Sequence, residues 1–358
     1  MRALAQRLGD RRIVLTGHGT TAIWLILDYL STKRGVGEVI LPALVCPSVA
    51  QVVAYAGFRP RFADVRLEDF TIDPASVASL LGPDTRAVIP VHLFGHSALV
   101  RAIKALVGSD VFVIEDAAQS FGAHFSGLPH GALGDAAILS FGGTKVLNVG
   151  GGGALATGDE ALASHVEERV RTLPAYASDE LLALSHRNIY HGLMDLVRTD
   201  PTARVGAAMR SVVDRYRPLY RHRFPEAALD KLGRGLEGFD AGARLRAERA
   251  EATHAALAPL PGLTLTRAWA DSGMCWRYSL LAESPRLCRA ITTGLRRAGV
   301  HASNHYFSLA RLFEDSILPN AEFVHNRIIN LWVDEVATGP YIDRTAQVVG
   351  EVIQKEQS

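Results

Sequence analysis

Short, continuously apolar runs alternate with amphipathic helical stretches over roughly the first 160 residues, and this alternation most constrains the fold. Apolar runs at 38–41, 60–64, 87–92, 111–115 and 136–141 predict strands. Residues 20–33, 46–56 and 98–107 predict helices between them. A strand that is apolar on both faces must be covered on both faces. The expected architecture is therefore α/β, a mainly parallel sheet with helices on either side. In such sheets ligands gather at the carboxyl ends of the strands. That rule brings His92, Asp116 and the segment after Phe141 to one crevice.

The pattern changes further along. Residues 177–238 are helical, rich in Arg and Tyr, and carry little strand signal. Residues 240–257 predict one long helix, and the remainder returns to an α+β pattern, with a strand at 276–282 and helices at 286–298 and 344–354. The expected division is a large domain over 1–240, with 177–238 as a divergent helical segment, and a smaller C-terminal domain over 241–358.

Composition narrows the function classes. The net charge is +1 over 358 residues, with 48% hydrophobic and 21% charged residues. Such a balance predicts a soluble globular protein and gives no reason to invoke nucleic acid or a membrane surface as partner. Apolar runs are broken before they could span a bilayer. Cys46, Cys275 and Cys288 have neither metal-ligand nor CxxC spacing, so no metal is expected and a reducing cytoplasm fits.

Three segments carry chemistry. Thr16-Gly-His-Gly-Thr-Thr-Ala22 opens a helix with glycines and hydroxyls, which suits an anion at a helix N-terminus and equally suits an ordinary cap. Val111 to Gln119 ends an apolar strand in two carboxylates. Asp116 there needs a cationic partner, such as a protonated pyridine nitrogen, or serves as a helix cap. Asp135 to Lys145 places a lysine on a Gly-flanked loop beyond an apolar strand, followed by Gly150 to Gly153. A partly desolvated lysine so placed is a good imine-forming amine, although a loop lysine alone is more often merely solvated. The four-glycine run lacks the first strand and downstream acidic residue of a dinucleotide loop.

Together these segments resemble the DegT/StrS-type sugar aminotransferases, which are pyridoxal 5′-phosphate (PLP) enzymes of fold type I. The resemblance rests on His18-Gly19-Thr20, Val39-Ile-Leu-Pro-Ala43, Pro90-Val-His-Leu-Phe-Gly95, Ile114-Glu-Asp-Ala-Ala-Gln119 and Gly134 to Lys145. It continues more loosely through Asn304-His305-Tyr306 and from Leu318-Pro319 to Asn330. The resemblance implies a seven-stranded-type sheet in the large domain, a small α+β domain, and a homodimer. It implies that Lys145 bonds the cofactor as a Schiff base and that Asp116 holds its pyridinium. Gln119 lies by the ring and phenolic oxygen, while Ser140, Gly19 and Thr20 bind the phosphate. His92, Arg223, His305 and Tyr306 are candidate substrate residues. The implied reaction is amino transfer from an amino acid, glutamate or glutamine, to a keto-sugar or related cyclic ketone in a specialised pathway. The alternatives are elimination, replacement or decarboxylation on an amino-acid-like substrate, or a non-catalytic partner protein of the same fold. Dehydrating relatives carry His at the position of Lys145, which counts against that chemistry.

Four positions depart from the family pattern. Cys46 stands where an aromatic usually covers the PLP ring. The glycine run lacks the family's Glu. The motif that crosses the dimer to the partner's phosphate has no clear counterpart, and Arg223 is its nearest substitute. Residues 177–219 have no family equivalent. These departures surround the substrate more than the cofactor. Cys275, Cys288, Trp276, Trp332 and Phe313 are expected to be packing residues, and His124 and His130 structural.

Overall fold

The computed structural model describes residues 1–177, 180–212 and 214–357. The chain forms β1 (Arg12–Thr16), β2 (Glu38–Pro42), β3 (Arg59–Ala63), β4 (Thr85–Val88) and β5 (Phe112–Asp116). A small hairpin, β6 (His124–Phe125) and β7 (Leu128–Pro129), leads to β8 (Ala136–Ser140) and β9 (Gly153–Thr157). Seven of these strands make one sheet, in the order β1-β9-β8-β5-β4-β2-β3. The neighbours from β8 to β3 pair in parallel. β9 runs antiparallel to both β1 and β8. Every residue of β2 and of β9 is buried, which is why residues 39–41 of β2 read as an apolar run rather than an alternating one.

The expected strands appear with small shifts at their ends. One shift has a clear cause. β4 stops at Val88 instead of reaching His92, because Pro90 has no N–H to offer a ladder. The chain stays extended beyond it: the Asp116 N–H bonds the Pro90 carbonyl at 2.9 Å, and Val91 bridges to Asp116. The helix Gly19–Arg34 buries Ala22 through Leu27 and also Leu30, so it is enclosed on several sides, and it ends at Gly35 with φ of 69°.

A second sheet comprises β10 (Leu263–Leu265), β11 (Arg277–Ala282), β12 (Ala302–Ser303) and β13 (Ile328–Trp332). It is fully antiparallel, in the order β10-β11-β13-β12. The helices Pro285–Arg297 and Gly339–Gln357 contribute Leu287, Ile291, Leu295, Val349 and Ile353 to its core. Ser284 caps the first by accepting the Leu287 N–H. The helix Phe239–Leu257 joins the two parts. Phe239 packs on Phe121 at one end, with ring centroids 4.8 Å apart, and Ala250 and Leu257 enter the second core at the other.

Within 177–238 the chain forms the helices Glu180–Thr199, Gly206–Ser211 and Leu229–Glu237 and a 3-10 stretch Asp214–Tyr220. Positions 178, 179 and 213 of that segment lie outside the described residues. Tyr190, Met194 and Val197 make a buried stripe at helical spacing, which holds the segment against the main core.

Candidate active site

The helix Gly19–Arg34 begins at His18 with no side-chain cap, leaving the first N–H groups free to meet an anion. Its start is pressed against the end of β8. A Cβ on Gly19 would lie 3.0 Å from the Leu139 carbonyl oxygen and 3.4 Å from the Ser140 Cβ. Gly19, Thr20 and Ser140 are thus brought together. Thr21 Oγ1 is buried next to Thr20 with no hydrogen-bond partner among the described residues. Burial pulls the His18 imidazole down to about 4, helped by nearby His222, so this ring stays neutral near pH 7.

Asp116 ends β5 at 4% exposure. One carboxylate oxygen accepts the Ala118 N–H at 2.9 Å; the other has no hydrogen-bond partner among the described residues. Burial raises its pKa, while the Ala118 N–H and the charges of Lys145 and His92 oppose that rise. Lys145 lies half-buried on the loop after β8, close enough for its charge to act on Asp116. Its Nζ is 5.4 Å from the centre of the Trp276 ring. The Trp276 indole N–H donates to the Thr144 carbonyl at 2.6 Å, so the residue just before β11 braces the lysine loop. Trp276 is therefore more than packing.

Gln119 spends both ends on the site wall. Its Oε1 accepts the Phe94 N–H and its Nε2 donates to the Tyr306 hydroxyl, each at 2.8 Å. Tyr306 also meets Phe94 edge to face at 4.7 Å. Cys46 is exposed, its Sγ 3.1 Å from the Ser48 hydroxyl. The phenols of Tyr190, Tyr220 and Tyr306 all lie within electrostatic reach of Cys46, and burial raises the pKa of each. Two of these tyrosines come from the divergent segment. Tyr190 donates to the His305 carbonyl at 3.2 Å and Tyr220 to Gln51 Oε1 at 2.9 Å. His186 also bonds Gln51 Oε1. His186, Tyr190 and Tyr220 thus shape the side of the site where the sequence departs from the family. No periodicity marks these tyrosines as site residues. A signal does exist for Arg277: a charge at the head of a mostly apolar strand.

His92 is a correction. It was expected in the crevice, but its ring is fully buried. Nε2 meets Glu115 Oε1 at 2.9 Å, Nδ1 accepts the Ala98 N–H at 3.0 Å, and the ring stacks on His130 at 3.6 Å. Both nitrogens are engaged, so His92 supports the turn after β5 and offers nothing to a substrate. Glu115 is held by the same group. Burial raises its pKa, but the His92 bond and charge and the N–H groups of Gly131 and Gly134 win, and the net shift is downward. Arg223 has an exposed side chain; its backbone N–H bonds the Pro174 carbonyl, beside His222, whose carbonyl accepts the Gly17 N–H at 2.9 Å. His305 is exposed, with its ring 5.1 Å from His191.

The residues fit PLP: a carboxylate with a free oxygen inside a buried site, an amine within its field, and an uncapped helix start beside a serine and an unpartnered threonine hydroxyl. The fold has the α/β architecture of fold type I, with a large seven-stranded sheet and a small α+β part. The chain belongs to the DegT/DnrJ/EryC1/StrS aminotransferase family, whose model matches residues 1–189. Over 164 residues it is 36% identical to a GDP-perosamine synthase of Caulobacter vibrioides, covering 46% of this chain and 44% of that protein. Over 170 residues it is 35% identical to a UDP-2-acetamido-2-deoxy-3-oxo-D-glucuronate aminotransferase of Pseudomonas aeruginosa, covering 47% of each. The matched region thus spans somewhat under half the length of these curated relatives. Among solved structures, PseC of Helicobacter pylori, an aminotransferase of pseudoaminic acid biosynthesis, superposes with a TM-score of 0.79 at 18% identity, covering 99% of this chain and 90% of that one. TlmJ of Streptoalloteichus hindustanus superposes with a TM-score of 0.78 at 22% identity, with coverage of 99% and 90%.

Proposed function

We propose that the protein is a PLP-dependent aminotransferase that moves an amino group from an amino acid, glutamate or glutamine, to a keto-sugar or related cyclic ketone. The observation that carries this reading is the pairing of Asp116, buried with one free oxygen, and Lys145 within its field. The relative named as a UDP-2-acetamido-2-deoxy-3-oxo-D-glucuronate aminotransferase supports the choice of acceptor. A homodimer working in the cytoplasm is part of the same proposal, as is the division into a large domain of 1–240 and a small one of 241–358. No helix among the described residues is long and apolar enough to cross a membrane.

Lys145 would anchor the cofactor covalently through Nζ and, once released, move a proton at the substrate carbon next to nitrogen. Asp116 would hold a proton on the ring nitrogen through its free oxygen. When bound, PLP supplies an electron sink for negative charge at that carbon. Gly19 and Thr20 would give N–H donors to the phosphate, with Ser140 and Thr21 adding hydroxyls. Tyr306, fixed by Gln119, would wall the substrate side, and Cys46 would leave room there that an aromatic would fill.

The test is direct. Purified protein should take up PLP with visible absorption, retain it covalently after borohydride on the peptide holding Lys145, and lose that adduct in Lys145→Ala. In protein not treated with borohydride, glutamate or glutamine should shift the absorption to the near ultraviolet. A protein that stays colourless with PLP refutes the reading, and colour with no response to any amino donor refutes transamination.

A further inference from the structure

Beside Lys145, on the side of the second sheet, lies a cavity of about 470 Å³ that the reaction outlined above does not yet use. One face of the helix Phe239–Leu257 forms its wall. Positions 239, 242, 243, 246 and 249 all line it, at the spacing that puts residues on one helical face. Gly242 and Ala243 leave the middle of that wall open, and a Cβ added at Gly242 would meet nothing within 4 Å. The charge is uneven. Lys145, Arg246, Arg249 and Arg277 line the cavity against Asp334 and Glu335.

Arg277 is the centre of it. It is 5% exposed and lies between two indoles, 4.6 Å from the Trp276 ring and 4.2 Å from the Trp332 ring. Its Nη1 donates to the Trp276 carbonyl at 2.9 Å and meets Asp334 Oδ2 at 3.4 Å. Its other nitrogens have no hydrogen-bond partner among the described residues. Two flat rings fix the plane of the guanidinium before any ligand arrives. A fork held in that way loses little entropy on binding and matches a carboxylate bidentately. Burial lowers its pKa to about 10, so it remains charged at neutral pH.

We propose that this cavity is a carboxylate pocket for the amino donor, with Arg277 as the preorganised fork and Arg246 and Arg249 as flanking cations. The inference rests on the transaminase reading and specifies its donor: a dicarboxylic amino acid whose amino group reaches the reacting centre at Lys145 while a carboxylate is held on the arginines. A phosphate-bearing acceptor presents related oxyanion chemistry, and the experiment separates the two.

The probe is glutarate, a dicarboxylate with no amino group to react, titrated calorimetrically into full-length protein carrying PLP. Two variants test the pocket without removing Lys145: Arg246→Gln removes a charge, and Gly242→Leu fills the space while keeping every charge. Circular dichroism and retained PLP absorption establish that each is folded. Glutarate should bind the wild type, bind each variant about tenfold more weakly or worse, and be indifferent to pyrophosphate. The same variants should slow the first half-reaction with glutamate far more than with alanine. Glutarate binding that ignores both variants, or that pyrophosphate displaces, overturns the pocket and leaves the transaminase reading intact. Failure of glutamate and every other amino donor to convert the cofactor overturns the transaminase reading and the donor role with it.

Discussion

Gly153 lies so close to the start of the helix Gly19–Arg34 that a Cβ there would come within 2.3 Å of the Gly19 nitrogen and of the His18 carbonyl carbon. Both are backbone atoms, so nothing cheap can move aside. The first residue of β9 therefore sets the height at which the N–H groups of Gly19 and Thr20 are presented. Gly153→Ala should destabilise the protein by about 2 kcal/mol, the range for overpacking a tight contact. It should also raise the PLP dissociation constant. Thermal melting with and without PLP checks both. An unchanged PLP affinity would show that the loop does not depend on this contact.

Asp116 carries a stability–function trade. Its pKa is raised, chiefly by burial, so folding without the cofactor disfavours the ionised carboxylate relative to the unfolded chain. A carboxylate with a raised folded pKa stabilises most at low pH, and that contribution is lost as pH rises through the folded value. Asp116→Asn should thus melt higher than wild type without PLP at pH 8, by an amount worth about 1 kcal/mol. With PLP the order should reverse, because the amide cannot neutralise a pyridinium. Equal melting temperatures across pH in the cofactor-free proteins would refute the burial argument.

Tyr306 and Gln119 form one unit. Tyr306→Phe removes the acceptor of the Gln119 amide and leaves a buried donor unpaired, at a cost of about 1–2 kcal/mol. The Phe94 N–H bond to the other end of Gln119 should survive. The expected result is a modest loss of stability with a larger fall in kcat, since a site wall is loosened. Denaturant unfolding and steady-state kinetics separate the two effects.

His325 supplies a pH dependence away from the cofactor. It is 4% exposed, its ring lies 4.2 Å from Phe307, and burial with the nearby charges of Arg198 and Arg311 lowers its pKa to about 3. A histidine with a depressed folded pKa contributes fully above its unfolded value near 6.5, and that contribution is lost as pH falls below it. It should account for about 2 kcal/mol of lost stability between pH 6.5 and 5. His325→Phe, which can keep the ring contact, should flatten that slope in urea unfolding followed across pH. An unaltered slope would place the titration elsewhere.

The alternation of buried strands and helices, the Gly-Thr turn, the strand-end Asp116 and the loop Lys145 were all legible in the sequence. The reason is local: continuous apolar runs signal strands covered on both faces, and the residues proposed to contact the cofactor lie at strand ends and turns within short motifs. The antiparallel strand β9 was not legible, because it begins inside a glycine run and has no helix before it. His92 was misplaced for a related reason. Its position at a strand end suggested the crevice, but which way a side chain turns depends on packing, and Glu115, Ala98 and His130 turn it inward.

What the sequence by itself determined is the fold class and the set of residues proposed to hold PLP, since these follow from periodicity and from motifs confined to short segments. Only the tertiary structure decided what surrounds them. It brings Tyr190 and Tyr220 from the divergent segment to the side of Cys46, and Trp276 and Arg277 from the second sheet to the side of Lys145. Those neighbours are far apart along the chain. Long-range packing of two cores, rather than any local pattern, places them at one site.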